Sequence, residues 1–189
     1  MSSALEVIPN PEFLTRIIRT FQHAEVDDVV VVLGHEADAV RESVASSGLS
    51  ARVVVNVDYE RGQLSSLLAG LRAIDRPGVS AMLITLVDVP FVSSATVGAV
   101  VRRYRAVRAP IVRPVRGAEH GHPVLIDRSL FDALRAADPA MGAKPIVRAH
   151  VSAAGDLPIE DEGAFFDVDT PEDYARALEQ FGSSSVPDR

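Results

Sequence analysis

Asp28-Val29-Val30-Val31-Val32-Leu33-Gly34 decides how this chain is read. Four valines and a leucine run together without a polar interruption, bounded by an aspartate and a glycine. The run is too short for a helix and lacks the apolar–polar alternation of a strand with one wet face. It predicts a strand buried on both faces, the pattern of a parallel sheet with helices above and below. Ala81-Met82-Leu83-Ile84-Thr85-Leu86-Val87 is a second run of the same kind and ends at Asp88-Val89-Pro90. Arg52 to Val57 is a third, shorter strand.

Between these runs the period changes to that of a helix. Asn10-Pro11-Glu12 has the form of a cap, a first-turn proline and an acidic first turn, and Phe13, Leu14, Ile17, Ile18 and Phe21 follow at helical spacing. A helix is therefore expected over about 11–24, with others over about 36–46, 64–74, 94–107 and 142–149. Leu130, Phe131 and Leu134 line a further helix capped by Asp127. Strands are expected near 109–113 and 122–126, and a last one over Phe165 to Val168. Thr170-Pro171-Glu172-Asp173 has the T-x-x-D form of a capping box and opens the final helix. Alternating strands and helices give an α/β chain, and right-handed crossovers make it a doubly wound, mainly parallel, Rossmann-like sheet.

The chain has 189 residues, which predicts a single domain over 1–181 followed by a polar tail over 182–189. It contains no cysteine, which excludes a disulfide framework, a thiolate metal site and a cysteine nucleophile. Its net charge of −7 repels phosphate backbones and anionic lipid, so neither nucleic acid nor a membrane surface is an expected partner. No apolar run nears the roughly 18 residues of a membrane span, and Met1 to Asn10 lacks the form of a secretory signal. The expected location is cytoplasmic. Lys144 is the only lysine.

In doubly wound sheets, ligands sit beyond the carboxyl ends of the strands. Asp88 stands there, directly after an apolar strand, where a carboxylate holds a hard divalent cation that bridges phosphate oxygens. Capping the turn before Pro90 is the alternative role. Along Phe166-Asp167-Val168-Asp169, strand alternation sends both aspartates to one face. Asp167 is the preferred second ligand, and Asp169 serves equally well as a helix cap. Asn56 ends a strand, and Gly62, Ser65 and Ser66 open the next helix, where hydroxyls and free N–H groups meet a base, ribose or phosphate. His120-Gly121-His122-Pro123 pairs two histidines without the carboxylate that would complete a metal set. Arg102, Arg103, Arg105 and Arg108 read as a solvated helix face.

Together these pieces resemble the MobA-like NTP transferases, most of all the molybdenum cofactor cytidylyltransferases. The carriers are Val29 to Gly34; Asn56 with Gly62 and Ser65-Ser66-Leu67; Ala69-Gly70-Leu71; and Leu86-Val87-Asp88-Val89-Pro90. Gly121-His122-Pro123-Val124, Gly142-Ala143-Lys144 and Asp167 to Asp173 complete them, so the likeness runs from about Leu5 to Leu178. It implies a nucleotidyltransferase fold and attack of an acceptor phosphate on the α-phosphorus of a nucleoside triphosphate, CTP or GTP, with CMP transfer favoured. It implies Mg²⁺ held by Asp88 and Asp167, a nucleotide pocket with Asn56, Gly62, Ser65 and Ser66, and an acceptor side at His122 and Pro123. The acceptor would be a phosphorylated small molecule such as molybdopterin.

One departure stands out. The family opens with a buried strand and the loop L-A-A-G-x-S-x-R-M-G, then a lysine, and no such loop occurs in these residues. Leu5-Glu6-Val7 resembles the stretch after that lysine. The first strand is expected to be missing from between the strands at 29–33 and 82–87, leaving a gap, a direct pairing or a site for a second copy of the chain. Low turnover by these residues alone follows. A non-catalytic partner of a cofactor-loading or oxidoreductase complex is the second reading.

Overall fold

A computed structural model describes residues 11–181 apart from Asp27 and Glu36. The cap at Asn10, the stretch Leu5 to Val7 and the tail from Gly182 lie outside the described residues. The elements run α1 (Pro11–His23), β1 (Val30–Leu33), α2 (Ala37–Ser46), β2 (Arg52–Val55), α3 (Gln63–Ile74), β3 (Ala81–Ile84) and α4 (Ser94–Val107). They continue β4 (Ile111–Arg116), β5 (Glu119–His120), β6 (Val124–Asp127), α5 (Phe131–Arg135), α6 (Lys144–His150), β7 (Asp156–Pro158) and α7 (Pro171–Phe181). The expected helices all form.

The valine run does what its composition demands. In β1, Val31 and Leu33 face Ile18 of α1 and Val44 of α2. Val32 points the other way, and its Cγ2 sits where α3 passes: a Cβ on Gly70 would lie 3.1 Å from it. Both faces of β1 are therefore covered by helices, and Ile18, fully buried, contributes about 1.5–3 kcal/mol by leaving water.

The second sheet is wrapped in the same manner. Leu71 of α3 and Phe131 and Leu134 of α5 pack on Met82, Ile111 and Ile126. Val100 and Tyr104 of α4 pack on Val112 and Leu125 from the opposite face. This is the doubly wound α/β arrangement. Its pairing is mixed rather than mainly parallel: β1–β2 and β4–β7 are parallel, but β6 lies antiparallel between β3 and β4. Apolar runs carry no mark of direction, so the expectation of a mainly parallel sheet is corrected here.

The sheet is in two pieces. One has β1 and β2; the other has the order β3-β6-β4-β5, with β7 on β4. Among the described residues no strand pairs with the free edge of β1 or with that of β3. Of the three expected outcomes, direct pairing of β1 with β3 is not seen among the described residues, and α1 bridges the two pieces on one face, where Ile17 and Phe21 join Val97 of α4 with Val29 and Leu83 against them.

One local expectation is corrected. Phe165 to Val168 is not a strand; a 3-10 turn at Glu162–Ala164 leads into an irregular segment there. Its aromatic and β-branched residues suit a strand, but among the described residues the only ladder-like bond is Val168 N–H to the carbonyl of Asp88. The strand that pairs with β4 instead is Asp156–Pro158. The capping box forms as expected, Thr170 Oγ1 accepting from Asp173 N–H and Asp173 Oδ2 from Thr170 N–H.

Candidate active site

Three loops meet beyond the end of β3. The first carries Asp88, three residues before Phe91. The second is Gly121-His122-Pro123, and the third runs from Asp161 to Asp169. Backbone hydrogen bonds join them: Val168 N–H donates to the Asp88 carbonyl at 2.8 Å, and His122 N–H donates to the Ala164 carbonyl at 2.8 Å. The approach is close enough to exclude side chains. A Cβ at Gly121 would lie 2.4 Å from the Ala164 carbonyl oxygen, and one at Gly163 would lie 2.1 Å from that of Phe91. Only glycine fits at either place.

This packing brings Asp88, Asp167 and His122 within electrostatic reach of one another. Burial, and then the negative charge of Asp167, hold the Asp88 carboxyl above its ordinary range. Burial and the charge of Asp169 raise Asp167 as well, while His122 pulls both down. Oδ1 of Asp88 is buried and has no hydrogen-bond partner. A buried acceptor without a donor is costly, and it fits a cation. Among the described residues no group of three His, Asp or Glu side chains is set to hold a metal by itself. Two carboxylates with open positions suit Mg²⁺ or Mn²⁺, which keep water and take phosphate oxygens. His122 Nδ1 lies 3.4 Å from the Ile84 carbonyl. As for the alternative role of Asp169, the α7 cap belongs to Thr170 and Asp173.

The second group forms at the end of β2. Asn56 is buried, 4% exposed, and its Nδ2 donates to Ser65 Oγ at 2.8 Å and Ser66 Oγ at 3.0 Å. Its Oδ1 accepts from Asp58 N–H at 3.1 Å. That backbone donor requires an oxygen, so the orientation of the amide is fixed. Asn56 is thus fully engaged within the protein. Ser65 Oγ is engaged too, bonded to the carbonyls of Asp58 and Gly62. Ser66 Oγ makes no other hydrogen bond among the described residues. Gly62 joins a 3-10 turn to α3 at φ 95°, a left-handed conformation that glycine tolerates. Tyr59 of that turn packs on Gly34, where a Cβ would lie 2.7 Å from the ring's own Cβ. A shallow pocket here is lined by Asn56, Ser65, Arg61 and Arg72 among others, and does not include Asp88. No hydrogen bond or ion pair among the described residues links the Asn56 group to the Asp88 group.

Residues 4–154 match the profile of the MobA-like NTP transferase domain. The chain belongs to this family. Among solved structures, the crystal structure of Rv0371c from Mycobacterium tuberculosis is similar, 29% identical at a TM-score of 0.72, covering 88% of this chain and 83% of that one. The same protein in complex with manganese is similar at a TM-score of 0.71 and 29% identity, over 88% of this chain and 86% of that one. A curated relative, the bifunctional IPC transferase and DIPP synthase of Rubrobacter xylanophilus, is 38% identical over 71 residues. That stretch is 37% of this chain and only 16% of the relative. A nucleotidyltransferase family with a Rossmann-like fold is thereby established. Among the described residues, no helix is long and apolar enough to cross a membrane.

Sequence reading passed over Asp161. Its carboxylate receives three hydrogen bonds within the site's framework, and the signal available was Asp161-Glu162-Gly163, an aspartate two places before a glycine that must turn.

Proposed function

We propose that this chain binds a nucleoside triphosphate with Mg²⁺ and transfers its NMP, CMP by preference, to a phosphorylated small molecule of the molybdopterin kind. The observation that carries this is the pairing of Asp88 with Asp167, with a buried Asp88 oxygen left without a donor. An oxygen of the acceptor phosphate attacks the α-phosphorus, the bond from that phosphorus to the bridging oxygen breaks, and pyrophosphate leaves. A divalent cation supplies neutralisation of the charge on the phosphates when bound. Asp88 and Asp167 would hold it, Ser66 would donate to the nucleotide, and His122 and Pro123 would border the acceptor. The manganese complex of the Mycobacterium tuberculosis relative supports divalent-metal use, and the Rubrobacter relative's name supports transferase chemistry.

The second reading, a non-catalytic partner of a cofactor-loading or oxidoreductase complex, draws on one observation. These residues contain no G-x-S-x-R-M-G loop to wrap the triphosphate, so their turnover alone should be low. Titration calorimetry with CTP and GTP, with and without Mg²⁺, separates the readings. Mg²⁺-dependent binding that weakens in Asp88→Ala supports the transferase. Binding that is absent, or unchanged by the substitution, favours the partner.

A further inference from the structure

Asp161 lies in neither half of the site, yet it ties together the loops that carry both carboxylates. Its Oδ2 accepts from Ser93 N–H at 2.9 Å and from Thr96 Oγ1 at 2.7 Å. Ser93 caps α4 and Thr96 lies in its first turn, and the helix follows directly on the Asp88 loop. Its Oδ1 accepts from Gly163 N–H at 3.1 Å, folding its own segment into the turn that leads to Asp167. Thr96 is 3% exposed, so its bond to Asp161 is partly shielded from water. Charge-assisted bonds of this kind are about twice as strong as neutral ones.

The surrounding geometry gives the strap its consequence. Three residues separate Asp161 from Phe165, and within them Gly163 lies on the Phe91 carbonyl and Ala164 accepts from His122 N–H. The segment then reaches Val168, whose N–H meets the Asp88 carbonyl. Asp88 and Asp167 repel each other as carboxylates, so nothing in the pair itself holds it closed. The restraint comes from the backbone bonds and from Asp161 behind them. We propose that Asp161 is a positioning residue, which holds the Asp167 segment against the Asp88 loop and so sets the pair's affinity for a divalent cation. The cation part rests on the nucleotidyl-transfer reading; the strap does not.

The test compares the unsubstituted chain with Asp161→Ala, Thr96→Val, Asp88→Ala and Asp127→Ala. Asp127 caps a distant turn and accepts from Tyr104, so its loss lowers stability away from the site. Free Mn²⁺ is followed by electron paramagnetic resonance, and the Val168 amide by hydrogen exchange, well below the unfolding transition. Asp161→Ala should weaken Mn²⁺ binding about tenfold, the lower end for groups supporting a metal ligand, and speed exchange at Val168. Thr96→Val, which removes one of the two bonds to Oδ2, should move both in the same direction by less and keeps the test alive if Asp161→Ala fails to fold. Asp127→Ala should move neither. Unchanged exchange at Val168 in both strap variants overturns the proposal, as does an equal loss of Mn²⁺ affinity in Asp127→Ala. Faster exchange at Val168 with Mn²⁺ binding that ignores Asp88→Ala keeps the strap and overturns the cation reading.

Discussion

Val168 donates its backbone N–H to the backbone carbonyl of Asp88 at 2.8 Å, so the two carboxylate-bearing segments are fastened main chain to main chain. The aspartate side chains on either side of this bond are held near one another against their own repulsion. Each carboxyl is raised, Asp88 first by burial and then by Asp167, and Asp167 by burial and then by Asp169. A carboxyl raised on folding favours the folded state below its unfolded pKa. That advantage is lost as pH rises through the folded pKa.

Asp88→Asn should therefore stabilise the metal-free chain at pH 7 while abolishing divalent-metal binding. A rise in Tm of about 2–4 °C is what a gain of about 1 kcal/mol produces in a chain of this size. The gain should vanish as pH falls below the ordinary carboxylate range, where the native carboxyl is protonated as well. Calorimetric melting of both proteins across pH 3–8 checks this. A Tm for Asp88→Asn equal to or below the parent's at pH 7 contradicts it.

Proton and cation compete for the same oxygens. Mn²⁺ affinity should fall with decreasing pH, beginning above the roughly pH 4 at which an unperturbed aspartate titrates. Calorimetric Mn²⁺ titrations at pH 5 and pH 7 should differ severalfold. Equal affinities would mean that Asp88 and Asp167 are not the ligands.

Gly163→Ala tests the packing of the same loops. The added methyl would meet the Phe91 carbonyl oxygen at 2.1 Å, and backbone cannot swing away as a flexible side chain can. A cost of about 1–3 kcal/mol is expected from such overpacking, read from the urea midpoint. Gly62→Ala gives a contrast at the nucleotide end. No atom lies within 4 Å of a Cβ there, so its strain comes only from φ 95°.

The site was legible in parts, and the parts differ in kind. Asp88 stands out because the apolar run from Ala81 to Val87 reads as a strand ending at a carboxylate; the strand itself stops at Ile84, four positions before Asp88. Ser65 and Ser66 could be found because serines at a helix start are conspicuous, but not the service Asn56 gives them. Buried at 4% exposure, Asn56 spends both N–H groups on the two hydroxyls. The irregular path from Phe165 to Val168 was hidden, because its residues favour extended backbone and its partner is one carbonyl rather than a strand. Asp161 was hidden for a related reason: its partners, Ser93 and Thr96, are 68 and 65 residues away. The separation of β1 from β3 among the described residues was expected from a missing motif, since no local pattern reports what a strand pairs with.

Asn56 and Ser66 should separate stability from binding. Asn56→Leu keeps the volume but strands Asp58 N–H and removes the donors to both serines, so about 1–3 kcal/mol of stability should go, together with Mg²⁺-dependent nucleotide binding. Ser66→Ala leaves Asn56 bonded to Ser65 and costs little stability, yet should weaken nucleotide binding severalfold. Urea unfolding beside calorimetric titration with CTP reads both quantities. Full nucleotide affinity in Ser66→Ala would remove that hydroxyl from the pocket.

At the opposite end of the strands, Asp28 accepts from Arg52 at 2.6 and 2.9 Å and from Arg76 at 2.8 Å. The Arg52 hydrogen bond is the main cause of its lowered pKa. A carboxyl lowered on folding contributes stability above its unfolded pKa and loses it as pH falls through the folded one. The sign is opposite to that at Asp88. Asp28→Asn should cost about 1 kcal/mol at pH 7, the upper end for exposed pairs because Arg52 binds both oxygens. The difference from the parent should close as the solution is acidified, and shrink in high salt. A cost that persists unchanged at pH 2.5 would assign it to packing of the Asp28 side chain and not to its charge. Taken with the opposite trend of Asp88→Asn, the pair of titrations distinguishes the carboxylate that holds β1 and β2 together from the one that is held at the site against its own repulsion.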